Sequence, residues 1–181
     1  MLVLLDRDGV LNEDRPDFVK SAAEMVMLPG AAAAVAQLNA AGHTVAVVSN
    51  QSGVGRGAMT AGDLSAANAA LGGAIAAAGG TLDAVIVCTD PPWAATDRRK
   101  PGPGMLREAL AQFAAAPADA VMIGDAVRDL EAAAALGIRR ILVRTGKGRA
   151  AETALPPALL PVAVYDDLAA AVDALIAAGR P

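Results

Sequence analysis

Cysteine is nearly absent from this chain. The lone thiol, Cys88, has no partner for an internal disulfide, which fits a reducing cytosol. Aromatic residues are almost as scarce at 2%, so no aromatic-rich interface patch is evident and a monomer is expected. Positive charge is not in excess either. Fifteen lysines and arginines against 19 acids give a formal charge of −4, which argues against nucleic acid or another extended polyanion as partner. A small anion is still admissible where basic residues cluster locally. Although 55% of residues are hydrophobic, much of that is alanine, and no run approaches the roughly 18–20 apolar residues that span a bilayer. A basic segment followed by an apolar one is also missing at the N-terminus, because acids arrive at Asp6. These absences predict a soluble cytoplasmic protein with no membrane partner, folded as one domain over residues 1–181 around a single core.

The stretch Leu2 to Asn12 stands out among what is present. An apolar run ends in Asp6-Arg7-Asp8 and then Gly9. Such a run reads as a buried strand of a parallel sheet, and acids at its carboxyl end fall where ligands bind in open α/β sheets. The two-residue period of a strand would put Asp6 and Asp8 on one side with Arg7 turned away. Gly9 would let the backbone turn without a Cβ penalty. Two close carboxylates resist ionising together, so they suit a divalent cation or a nucleophile and acid pair.

Further along, strand and helix signals alternate. Residues 12–28 have mixed charge and no clear period. A helix over Ala31 to Ala41 ends at Gly42, and Thr44 to Val48 is a strand leading into a loop over Ser49 to Gly57. Thr60 caps a helix reaching about Ala78, with Asp63 completing a capping box. Asp83 to Cys88 is a third strand. After a long loop, Pro103 opens a helix over Gly104 to Ala116. Strands at Ala120 to Ile123, Arg140 to Val143 and Val162 to Tyr165 follow, with a helix over Val127 to Leu136 and a terminal helix from Asp166. This alternation predicts an α/β fold, a doubly wound parallel sheet with right-handed crossovers. The gaps from Gly9 to Pro29 and from Ser49 to Asp83 are too short for an inserted cap domain.

Polar groups sit at four of the strand ends: Asp6 and Asp8, Ser49 and Asn50, Arg98-Arg99-Lys100, and Asp125 with Asp129. Carboxyl ends of parallel strands share one edge, so acid, hydroxyl, base and acid should meet in one crevice. Taken singly, each has a plainer explanation as a turn, a helix-surface acid or a solvated charge run.

In this order, Asp-Arg-Asp-Gly-Val-Leu-Asn, Ser-Asn-Gln-Ser-Gly, Arg-Lys-Pro and Gly-Asp-x-x-x-Asp resemble the haloacid dehalogenase superfamily of phosphohydrolases. Within it the chain is similar to the D-glycero-D-manno-heptose 1,7-bisphosphate 7-phosphatases, relatives of the histidinol-phosphate phosphatases. The resemblance runs from Leu2 through Lys147 and implies a Rossmann-like core. It also implies a Mg²⁺-dependent phosphomonoester hydrolase acting on a small phosphorylated sugar or similar ester. Asp6 would be the nucleophile that forms an aspartyl-phosphate, and Asp8 the general acid and then base, its proton favoured by the charge on Asp6. Ser49 and Lys100 would stabilise the transferring phosphoryl group. Mg²⁺ would be held by Asp6, the Asp8 main-chain carbonyl and Asp125, with Asp129 orienting the site from behind. Asn50, Gln51, Ser52, Arg56 and Arg99 would face the substrate, while Arg128 and Lys147 could reach a second phosphate.

One departure matters. Many of these phosphatases carry a zinc loop reading Cys-x-His, a spacer, then Cys-x-Cys-Arg-Lys-Pro. The matching positions here are Cys88, Asp90, Thr96 and Arg98, and one thiol cannot hold tetrahedral zinc. A zinc-free loop is expected, stiffened by Pro91-Pro92-Trp93. Two other readings compete with the heptose substrate: histidinol phosphate or another small phosphomonoester, and a phosphate-binding or receiver-like signalling module. Receivers carry their phosphorylated aspartate after a later strand, which disfavours the latter.

Overall fold

In the computed structural model, which describes residues 1–179, six strands form one all-parallel sheet. The first half of the chain supplies β1 (Leu2–Leu5), α1 (Ala31–Ala40), β2 (Thr44–Asn50), a short α2 (Ser52–Gly55), α3 (Ala61–Ala77) and β3 (Ala84–Cys88). The second half supplies α4 (Gly104–Gln112), β4 (Ala120–Gly124), α5 (Val127–Ala134), β5 (Arg139–Val143), α6 (Gly148–Thr153), β6 (Ala163–Tyr165) and α7 (Leu168–Ala178). The strand order is β3-β2-β1-β4-β5-β6, so the chain winds outward one way from β1 and the other way from β4. Those two central strands pair in register from Leu2 with Ala120 to Leu5 with Ile123. A crevice opens where the winding reverses, beyond their carboxyl ends.

Alternation along β1 shows how two layers of helix cover the sheet. Val3 and Leu5 face a core with α1, α3 and α7, built on Val35, Leu38, Leu71, Ile75, Val172 and Leu175. Leu2 and Leu4 face the opposite core with α4 and α5, built on Met105, Leu106, Ala109 and Ala132. The doubly wound fold expected from the alternating pattern is therefore present, and among the described residues no inserted cap stands over the crevice. Residues 12–28 are largely irregular, with one 3₁₀ turn at Ala22–Glu24.

Several boundaries differ from the sequence reading, each for a local reason. α4 ends at Gln112 rather than Ala116, because Ala114 takes a left-handed φ of 49°. Pro103 precedes α4 instead of opening it. α5 stops at Ala134 instead of Leu136, with Gly137 left-handed at φ 71° just beyond. The cap of α7 is Asp167, not Asp166, and its carboxylate accepts from the Ala170 amide at 2.8 Å. The Thr60–Asp63 capping box forms in both directions.

Candidate active site

β1 ends at Leu5, so the two-residue period stops before Arg7, and the side chain expected to turn away does the opposite. Arg7 is fully buried. Its guanidinium donates to Asp8 at 3.0 Å, Gln51 Oε1 at 3.0 Å and Asn68 Oδ1 on α3 at 2.9 Å. Asp8 also accepts from Gln51 Nε2 at 2.7 Å and Asn12 Nδ2 at 2.9 Å. The Arg7 guanidinium is therefore in direct contact with the Asp8 carboxylate. Arg7, Asn12 and Asn68 are members of this network that the sequence reading did not single out. An arginine closing an apolar run was the available signal for the first of them.

Asp6 is buried beside Lys100, whose ammonium lies 3.1 Å from Asp6 Oδ1 and 2.8 Å from Asp129 Oδ1. The Asp6 carboxylate also accepts from the Arg7 amide at 2.7 Å. Burial alone would raise the Asp6 pKa, but the charges of Lys100 and Arg128 and the Arg7 amide hold it below the ordinary carboxylate value. Burial likewise works against the Lys100 cation, and Asp129 and Asp6 outweigh it, keeping Lys100 above its usual value. Lys100 is fixed by its neighbours as well. Its ammonium donates to the Val48 carbonyl at 2.7 Å. The Asn50 side chain clasps its backbone, Nδ2 to Lys100 O at 2.9 Å and Lys100 N to Oδ1 at 3.0 Å.

Asp125, at the end of β4, comes close to Asp6 and Asp129; one carboxylate oxygen from each lies within 4.8 Å of the others. Burial pushes Asp125 up to about 7, and the charges of Asp6 and Asp129 add to the rise. Asp125 Oδ2 accepts from the Lys147 amide at 2.8 Å, whereas its buried Oδ1 has no partner. Three buried acids and an orphaned carboxylate oxygen are a donor set for a hard divalent cation, which takes oxygen ligands. Asp129 is turned toward Lys100 and toward the Ala126 amide, which donates to its Oδ2 at 3.1 Å. Two glycines make room for this cluster. A Cβ on Gly9 or Gly146, both at positive φ (86° and 54°), would lie 2.1 Å or 2.2 Å from Asp125 Oδ2.

Asp6 and Asp8 open onto a cavity of about 500 Å³, with Asp125 and Asp129 buried behind it. Asp6, Asp8 and the run Ser49 to Ser52 line it together with Arg56, Arg99, Arg128 and Lys147. The four expected strand ends thus converge. Asp14, Arg15, Pro16, Phe18 and Val19 from the irregular segment complete the lining, which composition does not reveal. Ser49 Oγ accepts from Gln51 Nε2 at 2.9 Å, and the Gln51 amide is already donated to the Cys88 carbonyl at 2.7 Å. Lys147 Nζ lies 2.6 Å from Asp14, and Arg128 Nε is buried without a partner. Around the loop after β3, burial pushes the Cys88 thiol up, Asp90 accepts from Thr96, and Arg98 pairs with Glu108. A second cavity of about 690 Å³, between α1 and α7, holds His43 and Asp173 and lies apart from these groups.

An acid at the end of the first strand, a hydroxyl at the second, a buried lysine and a second acid at β4 define a haloacid dehalogenase-like phosphohydrolase. A HAD-hydrolase-like family model matches residues 97–171. D-glycero-beta-D-manno-heptose-1,7-bisphosphate 7-phosphatase of Pseudomonas putida is 42% identical over 176 residues, 97% of this chain and 99% of that protein. Among solved structures, the D,D-heptose 1,7-bisphosphate phosphatase of B. bronchiseptica, complexed with magnesium and phosphate, superposes with a TM-score of 0.93. It is 39% identical and covers 98% of this chain and 99% of its own. The corresponding enzyme of Burkholderia thailandensis superposes at 0.75 with 38% identity and 97% coverage of each chain. The chain belongs to the D-glycero-D-manno-heptose-1,7-bisphosphate 7-phosphatase family.

Proposed function

We propose that the protein removes the 7-phosphate from D-glycero-D-manno-heptose 1,7-bisphosphate in a Mg²⁺-dependent reaction. The observation that carries this is the pairing of Asp6, which lines the cavity, with the buried ammonium of Lys100 behind it, in a chain similar over nearly its whole length to phosphatases of that sugar. A carboxylate kept ionised by an adjacent ammonium is a ready nucleophile.

In the first step an Asp6 oxygen attacks phosphorus, the bond from phosphorus to the sugar oxygen breaks, and Asp8 gives its proton to the leaving alkoxide. In the second, Asp8 takes a proton from water, the resulting hydroxide attacks the aspartyl-phosphate, and inorganic phosphate leaves with Asp6 restored. Lys100 and the Ser49 hydroxyl balance charge on the equatorial oxygens, which is most of what phosphoryl transfer asks of a protein. Asp6, the Asp8 main-chain carbonyl and Asp125 would hold Mg²⁺. The ion, when bound, supplies charge neutralisation at the phosphoryl oxygens. Asp129 and Asn50 fix Lys100, and Gln51 ties Ser49 to Asp8. Ser52, Arg56 and Arg99 face the remainder of the substrate. The loop after β3 works without zinc, since three of its four corresponding positions offer no thiol or imidazole. A monomeric cytoplasmic enzyme completes the reading.

Phosphate release from a panel containing heptose 1,7-bisphosphate, histidinol phosphate and simple phosphomonoesters tests the substrate. Selectivity for the heptose supports the proposal, and uniformly low efficiency across the panel rejects it. Asp6→Asn should lose phosphate release while keeping its fold. Stoichiometric zinc in the purified protein would reject the zinc-free loop.

A further inference from the structure

Two arginines at the cavity wall are held by one surface loop rather than by acids. Arg15, which also lines the cavity, pairs with Asp17. Arg56 and Arg99 have no acidic partner among the described residues. Instead, the Arg56 guanidinium stacks 5.4 Å from the centroid of Trp93, an indole left 73% exposed. Arg99 Nη1 donates to the Asp90 carbonyl at 2.9 Å. That carbonyl is fixed because the Asp90 carboxylate accepts both the Thr96 amide, at 2.9 Å, and the Thr96 hydroxyl, at 2.6 Å. The same hydroxyl then accepts from the Arg98 amide at 3.2 Å. Residues 89–99 are therefore closed into a ring by side chain to backbone bonds. The ring is pressed onto α2, since a Cβ on Gly55 would lie 2.3 Å from the Thr89 carbonyl.

This arrangement has an electrostatic cost. Burial, then the charges of Arg128 and Arg56, work against the Arg99 cation. Two neighbouring cations, neither paired with an acid of its own, call for an anion from outside. The reacting phosphoryl group already has Lys100, so the group these arginines await is a different one.

We propose that residues 89–99 form a mount that presents Arg56 and Arg99 to the second, non-reacting phosphate of a sugar bisphosphate, with Trp93 and the Asp90–Thr96 clasp as positioning residues. The inference rests on the bisphosphate reading above. Trp93 gives Arg56 a flat, weakly hydrated face that limits its rotamers, and the clasp sets where Arg99 points. Neither Trp93 nor Thr96 touches the reacting groups, so both act on binding rather than on chemistry.

The test compares steady-state kinetics of the Mg²⁺-loaded enzyme on heptose 1,7-bisphosphate and on heptose 7-phosphate, which lacks the second phosphate. Loosening a charge-assisted contact should raise KM for the bisphosphate by about tenfold in Trp93→Ala and in Thr96→Val. Their kcat should stay within about twofold, and KM for the monophosphate should not move. Trp93→Phe and Thr96→Ser should restore the wild-type KM, and Trp93→Ala should add nothing in an Arg56→Gln background. Equal losses on both substrates, or an unchanged KM on the bisphosphate, would overturn the mount. A wild-type enzyme that shows no preference for the bisphosphate would instead overturn the substrate reading itself.

Discussion

Replacing Lys100 with methionine keeps the length of the side chain and removes its charge. In the wild type this ammonium has no exposure and lies 3.1 Å from Asp6, 2.8 Å from Asp129 and 2.7 Å from the Val48 carbonyl. Its removal leaves Asp6 and Asp129, both buried, without the cation they share. Breaking a buried pair by deleting one partner costs about 3–5 kcal/mol. For a domain of this size each kcal/mol moves the melting temperature by about 2–4 °C, so a fall of roughly 6–20 °C is expected at pH 7.5 without metal. The sign of the pH dependence follows. Without Lys100, the pKa values of Asp6 and Asp129 rise in the folded state, which then binds more protons than the unfolded chain. The deficit should therefore shrink as pH falls from about 7 to about 5. Mg²⁺ should shrink it too, by supplying the missing charge. Differential scanning fluorimetry across pH and Mg²⁺ concentration measures both effects, and phosphate release should fall by about 10²–10³-fold. A variant melting within about 2 °C of wild type, or one whose deficit ignores pH, would refute the reasoning.

Other outcomes follow from the same geometry. Burial raises Asp125 from 3.8 to about 7, so the metal-free folded state holds a proton that the unfolded chain has released. Its stability should decline by up to about 4 kcal/mol as pH rises from about 4 to about 7, and the melting shift produced by Mg²⁺ should be larger at pH 7.5 than at pH 5.5. Gly9→Ala forces a methyl against the Asp125 carboxylate at a positive φ; a loss of at least 1 kcal/mol and weaker Mg²⁺ binding by calorimetry are expected. Arg7→Met strands the Asp8 and Gln51 acceptors and should cost about 3–5 kcal/mol in denaturant unfolding. Thr60→Ala removes one half of the α3 capping box and should cost about 1 kcal/mol with kcat unchanged.

The strands were the legible part of this chain because each is a short apolar run bounded by polar turns, and a fully buried strand needs little else. Convergence of Asp6, Ser49, Lys100 and Asp125 followed from parallel topology alone. Other features left weaker traces. α2 and α6, of four and six residues, are too short to carry a helical period. The early end of α4 depends on a left-handed alanine where a glycine would have announced it. Arg7 escapes a strand-period reading because β1 ends at Leu5, two residues before it. Its burial depends on Asn68 and Gln51, acceptors brought in from other elements. The Asp90–Thr96 clasp could not be read either, since an aspartate and a threonine six residues apart are ordinary loop composition.

The side-by-side pairing of β1 and β4 has a consequence for how the enzyme is born. Ala120 is synthesised 118 residues after Leu2. Until then β1 lacks one of its two neighbours, and the Asp6 carboxylate has neither Asp125 nor Asp129 against it. Long-range parallel pairings of this kind form slowly, since a large loop must close before they are rewarded. The acid cluster is therefore among the last parts of the sheet to assemble, and a nascent chain halted before β4 should hold no divalent cation there.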